Sequence, residues 1–208
     1  MTGKIKLVHS GGNAVSLAVP TSNPSSSEVE FKLPQADGSS GQALVTDASG
    51  NLSFSGTGKI LQVKQAVKTD TFTSSVNGTD IPGLSVTMDA PTSSSSKYLI
   101  FANVPVMGSN YGGGLRLNGT TNGVILQPTS YGSRTPVSGA EAYQSSNRIN
   151  HVDALCFLDS PSTSNAQTYK VQVVTNGATI KINRLNVDTD SSAYSRGCAT
   201  ITVMEVAA

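Results

Sequence analysis

A chain of 208 residues with a formal charge of +1, 13% charged residues, 20 Gly and no Trp is long enough for one domain with a full core plus a smaller segment, and turn formers and β-formers dominate it. So little charge leaves no cluster of Lys and Arg for duplex nucleic acid, and no nucleic-acid partner is expected. No opening stretch joins a basic start, an apolar run and a small-residue cleavage site, and the longest apolar run, Tyr98 to Ala102, is far short of a bilayer span. Neither a signal peptide nor membrane insertion is therefore expected.

The pattern changes near residues 55 to 60. Before that point the sequence predicts short strands at Lys4 to His9, Ala14 to Val19, Val29 to Leu33, Ala43 to Thr46 and Leu52 to Phe54, each stopped by Gly, Pro, Ser or Asn. Glu28-Val29-Glu30-Phe31-Lys32-Leu33 alternates strictly, which puts Val29, Phe31 and Leu33 on one face. About 55 residues of this composition cannot supply a sufficient core alone. The expected partner of that face is the same segment of another chain, in an intertwined oligomer.

After residue 60 the predicted strands lengthen. Leu61, Val63 and Val67 recur on one face, then Leu84, Val86 and Met88, then Tyr98, Ile100, Ala102, Val104 and Val106, as half-buried strands of a sandwich would. Ile149 to Leu158, Tyr169 to Val174, Thr179 to Ile182 and Ala199 to Val206 complete the set, and no amphipathic helix is expected. Pro82 and Pro105 predict bulges, strand ends or edges, because proline donates no ladder hydrogen bond. Cys156 and Cys198 lie in apolar, strand-like stretches and are expected as buried free thiols, with a disulfide left open. Residues alone therefore lead to an all-β chain with an antiparallel β-domain.

The stretch Leu33-Pro34-Gln35-Ala36-Asp37-Gly38-Ser39-Ser40-Gly41-Gln42-Ala43-Leu44-Val45-Thr46-Asp47-Ala48-Ser49-Gly50-Asn51-Leu52-Ser53-Phe54 resembles the LPxxDGxxGQxLxTDxxGNLxF element of many phage fibre and other virion proteins. It reads as strand, Asp-Gly turn, strand, Gly-Asn turn, strand. The opening Gly3 to Gly12, Asp188-Thr189-Asp190-Ser191-Ser192 and the terminal Ile201 to Val206 are also similar to fibre-like proteins of tailed bacteriophages infecting marine bacteria and cyanobacteria. The resemblance implies a homotrimeric fibre or spike: residues 1–30 as a virion-attachment segment, 31–58 as a short β shaft or neck, and 59–208 as a jelly-roll head similar to C1q or tumour-necrosis-factor heads. It places the protein in the virion, assembled in the host cytoplasm, with other virion proteins as partners of the N-terminal segment.

Catalytic chemistry has little to stand on. The two histidines are His9 and His151. His151 and Asp153 share a strand face, but no G-x-S-x-G elbow accompanies them, and a polar strand face is the commoner explanation. Gly112-Gly113-Gly114 and Gly11-Gly12 lack the spacing of a phosphate loop and read as turns or bulges. Asp188 and Asp190, with Asn186, Thr189 and Ser191 nearby, are weak candidates for Ca²⁺, since glycine and a distal glutamate at EF-hand spacing are missing; no cofactor is expected. Tyr111, Tyr131, Tyr143 and Tyr194 lie in Gly/Ser-rich connections and are the candidates for contact with host-surface glycan, though packing across the trimer or over sheet ends is the commoner use of such tyrosines. Arg116, Arg134, Arg148 and Arg196 share that ambiguity. Three classes follow: a tail-associated fibre for host attachment, a capsid-decorating fibre or knob without a defined receptor, and an enzyme on surface polysaccharide, which would want paired carboxylates across a groove. The expected reading is the first, non-enzymatic.

Overall fold

The computed structural model describes residues 4–18, 20–22, 24–26, 28–56, 58–109, 113–129, 132–139 and 151–207, which contain strands and turns but no helix. The chain divides into two units, Met1–Thr57 and Gly58–Ala208.

In the first unit β1 (Lys4–Val8) and β2 (Ala14–Ala18) form an antiparallel hairpin in which Ile5 lies opposite Leu17 and Leu7 opposite Val15. β3 (Gln42–Thr46) and β4 (Leu52–Gly56) form a second hairpin. Its turn is built by Asp47, whose carboxylate accepts from the Ser49 and Asn51 amides (2.8 and 3.1 Å) and from the Asn51 side chain (2.6 Å). Those bonds to the charged form hold Asp47 below the usual carboxylate range. Gly50, at φ +85°, presses against the Glu30 carbonyl where any Cβ would collide, and a Cβ at Gly38 would meet the Phe54 ring at 2.5 Å. Within that element Thr46 and Asp47 thus cap the turn, and Gly38 and Gly50 sit at close approaches. The alternating stretch Val29 to Leu33 is not a full strand; Lys32 alone bridges Asn51 in parallel.

The second unit runs β5 (Ile60–Lys68), β6 (Phe72–Ser74), β7 (Asp80–Thr87), β8 (Lys97–Ser109), β9 (Gly113–Gly119), β10 (Gly123–Ile125), β11 (His151–Asp159), β12 (Thr168–Thr175), β13 (Thr179–Ile182) and β14 (Ala199–Val206). One antiparallel sheet has the order β10-β9-β12-β7. The other runs β5-β14-β8, with β13 continuing beside β8 and carrying β6, and β11 on the far edge of β8. The two sheets share one core. Leu84, Val86, Leu115, Leu117, Tyr169, Val171 and Val173 come from the first, and Tyr98, Ile100, Ala102, Val104, Leu155, Ile180, Ile201 and Val203 from the second. Each fully buried Leu, Ile or Val there is worth roughly 1.5–3 kcal/mol. Polar atoms tie the sheets at one end, where the buried Tyr169 hydroxyl donates to Asp159 (2.7 Å) and Asn122 donates to the other carboxylate oxygen (2.7 Å).

Four further expectations need correction. Pro82 does lie in an edge strand, at a bulge with Gly83 at φ +83°, but Pro105 sits in β8, the central strand. Proline is tolerated there because the neighbour of β8 changes between Asn103, the last partner of β14, and Val106, the first of β13. The Pro105 carbonyl faces that gap and accepts from the Asn183 amide (3.0 Å), so its nitrogen faces the same gap, where no ladder acceptor is lost. Gly113 and Gly114 are strand residues at the start of β9, not a turn: a Cβ at Gly113 would meet Ile180 at 2.7 Å, and one at Gly114 the Gly139 carbonyl at 2.7 Å. Cys156 and Cys198 are exposed, free thiols. Alternation along β11 turns Asp153 and Leu155 inward and Ala154 and Cys156 outward.

The fourth correction concerns β5, whose apolar residues face outward. Val63 is 58% exposed and Val67 51%, whereas Gln62 and Lys64 turn inward at the sheet's margin. Gln62 donates to the buried Glu205 (2.6 Å) and accepts from the Asp89 amide (3.1 Å); Lys64 reaches Thr87 O (3.0 Å) and Asp89 (2.7 Å). Those bonds fix the strand's facing against its hydrophobic pattern. The outer face of the larger sheet becomes a row of Leu158, Leu99, Met204 and Val63 beside a row of Cys156, Phe101, Thr202 and Gln65.

Candidate functional site

The connection from β13 to β14, residues 183–198, carries a polar concavity. Its base is Asn183, fully buried at φ 59°, a left-handed conformation that asparagine tolerates better than most residues. Its side-chain amide donates to the Lys68 and Asp70 carbonyls (2.8 and 3.0 Å), its own amide to Pro105 O, and its carbonyl accepts from Gly197 (3.1 Å). One residue therefore closes both ends of the loop onto β8 and the end of β5. Gly197 fits because a Cβ there would lie 2.6 Å from the Pro105 ring.

Above this base, Asp188, Thr189, Asp190, Ser191, Tyr194 and Arg196 line an open concavity of about 450 Å³. Arg196 clamps Asp188 through two bonds (3.0 and 2.9 Å), with the Arg184 guanidinium 3.7 Å away. The Arg196 hydrogen bonds hold the Asp188 carboxyl below its ordinary range. A turn in which the Tyr194 amide donates to Ser191 O (3.0 Å) sets the ring of Tyr194 at the rim, half-buried. An aromatic face, a guanidinium, carboxylates and two hydroxyl side chains in one shallow site suit a polyhydroxylated ligand such as a sugar.

Asp188 and Asp190 do reach one site, but the donor set fits Ca²⁺ poorly. Both Asp188 oxygens already accept from a guanidinium, and among the described residues no group of three His, Cys, Asp or Glu comes together. Of the four tyrosines expected to contact glycan, Tyr194 lines the concavity, while Tyr111, Tyr131 and Tyr143 lie outside the described residues. The sequence alone did not single out Arg196 from the other arginines. Along a strand or a helix two residues eight apart are too distant to touch, so the pairing with Asp188 arises only through the loop's closure on Asn183.

His151 and Asp153 pair on the inner face of β11, with Nε2 and Oδ1 3.1 Å apart; the Asp153 side chain is 2% exposed and that of His151 50%. Among the described residues no serine or threonine hydroxyl hydrogen-bonds to His151, and the second Asp153 oxygen is without a partner against Gly139. Burial pushes the Asp153 carboxyl up to about 6, against the lowering pull of His151. Below about pH 4 the group is protonated folded or unfolded; between there and pH 6 the folded chain holds a proton that the unfolded chain has released. Above that window the fold carries a buried anion, so this group's contribution falls as pH rises through it. A carboxyl raised from its ordinary value to about 6 costs the fold about 3 kcal/mol at neutral pH. The stability of Asp153→Asn relative to the parent is therefore expected to improve by about that amount from pH 4 to pH 7, read from denaturant midpoints; a difference flat across the range would contradict it.

No family model matches the sequence, and no curated protein matches it.

Proposed function

We propose that the chain is a non-enzymatic structural subunit of a tailed-phage particle: a short homotrimeric fibre or spike, tail-associated, that attaches through its first 30 or so residues and meets host-surface glycan with its larger unit. The observation that carries this reading is the amount of apolar surface a single copy leaves open. Ile5, Leu7, Val15 and Leu17 on one side of the first hairpin are 65% to 73% exposed, and Val63, Val67, Phe101, Val152 and Leu158 lie exposed on the outer face of the larger sheet. Contiguous apolar patches of this kind mark interfaces, and identical chains around a threefold axis give every patch a neighbour.

The strand pairing supports a jelly-roll head. β5 pairs with β14, β7 with β12, β8 with β11 and β9 with β10, first with last and nested inward, and along this set the strands alternate between the two sheets except at the innermost hairpin, β9 and β10. The resemblance of residues 33–54 to a phage-fibre element supports the virion assignment. The concavity around Tyr194 supports the attachment role, since a trimer would present it three times, and linked weak sites gain avidity.

Two measurements test the reading. Imaging of particles bearing a labelled C-terminus is expected to place the label on the tail; label spread over the capsid would favour the decorating role. Tyr194→Ala should leave the fold intact and slow adsorption. Loss of about 1 kcal/mol per site is roughly fivefold, and three linked sites compound it to about a hundredfold. Unchanged adsorption by a folded Tyr194→Ala protein would remove the concavity from the mechanism.

A further inference from the structure

We infer that residues 28–33 of one copy add as a strand to β1 of a second copy, so that the N-terminal units of the oligomer are strand-exchanged. The inference rests on the oligomer proposed above and names the segments that would join its N-terminal units. Within one chain neither segment satisfies the other. Val29, Phe31 and Leu33 are 56%, 63% and 78% exposed, and the β-bridge in this stretch runs from Lys32 to Asn51.

The backbone leaves an edge open. Lys32 donates to Gly50 O (2.8 Å) and accepts from the Leu52 amide (2.8 Å), so both its polar groups face β4. In an extended chain the groups of the flanking residues, Phe31 and Leu33, point to the opposite side, where Phe31 offers a donor and an acceptor to an incoming strand. Pro34 then ends the stretch.

The sequences select the occupant. Glu28-Val29-Glu30-Phe31 and Lys4-Ile5-Lys6-Leu7 complement each other position by position in a parallel register: acid with base, apolar with apolar. The antiparallel alternative that keeps Glu30 beside Lys6 brings Lys32 beside Lys4, a like-charge pair. The parallel register also lines up the exposed Val29 and Phe31 with the exposed Ile5 and Leu7. In the single chain Glu30 sits 3.7 Å from Lys32, both exposed, a contact weak enough to exchange.

The test pairs Leu7→Cys with Phe31→Cys in the full chain, with Cys156→Ser and Cys198→Ser removing the native thiols, followed by mild oxidation and a non-reducing denaturing gel. Exchange between copies yields covalent dimers and trimers. A further Glu30→Lys change is expected to cut their yield at least tenfold, and adding Lys6→Glu to the same chain to restore it. An intrachain crosslink, or free thiols in a protein that light scattering finds trimeric, overturns the strand exchange and leaves the trimer standing. A monomer by light scattering takes down the trimer as well.

Discussion

Phe101→Glu is expected to convert a trimer into a folded monomer. Phe101 lies in the middle of the outer face of the larger sheet, opposite Cys156 of β11 and Thr202 of β14, and is 38% exposed in the single chain. In the monomer a glutamate there stays wet and costs little. Across an interface it would bury an unpaired carboxylate in each copy, a penalty of several kcal/mol per site, enough to exceed the association energy of a small patch. Light scattering reads the change in mass, and circular dichroism reads the intact strands. The native thiols give an independent report: Cys156 shares the face and should resist alkylation in the parent trimer while Cys198 reacts, and Phe101→Glu should expose Cys156 without altering Cys198. A Phe101→Glu protein that stays trimeric with Cys156 protected would move the interface elsewhere.

That face also marks where sequence reading stopped. Alternation at Leu84, Val86 and Met88 and from Tyr98 to Val106 identified buried residues correctly, because those strands bury one side against the shared core and leave the other wet. The same rule applied to Leu61, Val63 and Val67 chose the wrong side: it cannot distinguish an apolar face buried in the fold from one left exposed. The deciding contacts, Gln62 to Glu205 and Lys64 to Asp89, span 143 and 25 residues and leave no local signature. Cys156 was misplaced for the same reason. Pro105 failed differently, since a strand flanked by two partners in succession has an internal gap that no pattern in β8 announces. At the candidate site the sequence supplied Tyr194, Asp188 and Asp190 but not their convergence, which depends on a buried Asn183 joining the loop's ends to β8 and β5.

Two tyrosines of the core should respond in opposite ways to loss of a hydroxyl. Tyr98 and Tyr169 are both fully buried, with ring centroids 5.4 Å apart at an angle of 50°, so removing either oxygen leaves the same kind of aromatic contact. The Tyr169 hydroxyl is a donor to Asp159, itself 3% exposed, and burial together with that carboxylate pushes its pKa far up, keeping the proton in place. Tyr169→Phe leaves one oxygen of a buried carboxylate unserved, with Asn122 bonding only the other, and unties the two sheets at that end. A lost bond to a buried carboxylate predicts a cost of roughly 2–4 kcal/mol, or about 4–16 °C in melting temperature for a chain of this size at fixed protein concentration. The Tyr98 hydroxyl is buried with no partner among the described residues, and burial, then the nearby Glu205, pushes its pKa up to about 12. Tyr98→Phe removes an unsatisfied polar atom and should be neutral or stabilising by up to about 1 kcal/mol. Asp159→Asn in the Tyr169→Phe background removes the stranded charge and should recover part of the loss, a coupling that the double-mutant cycle reads directly. Equal melting temperatures for Tyr98→Phe and Tyr169→Phe would mean that the Asp159 bond adds nothing to what joins the two sheets.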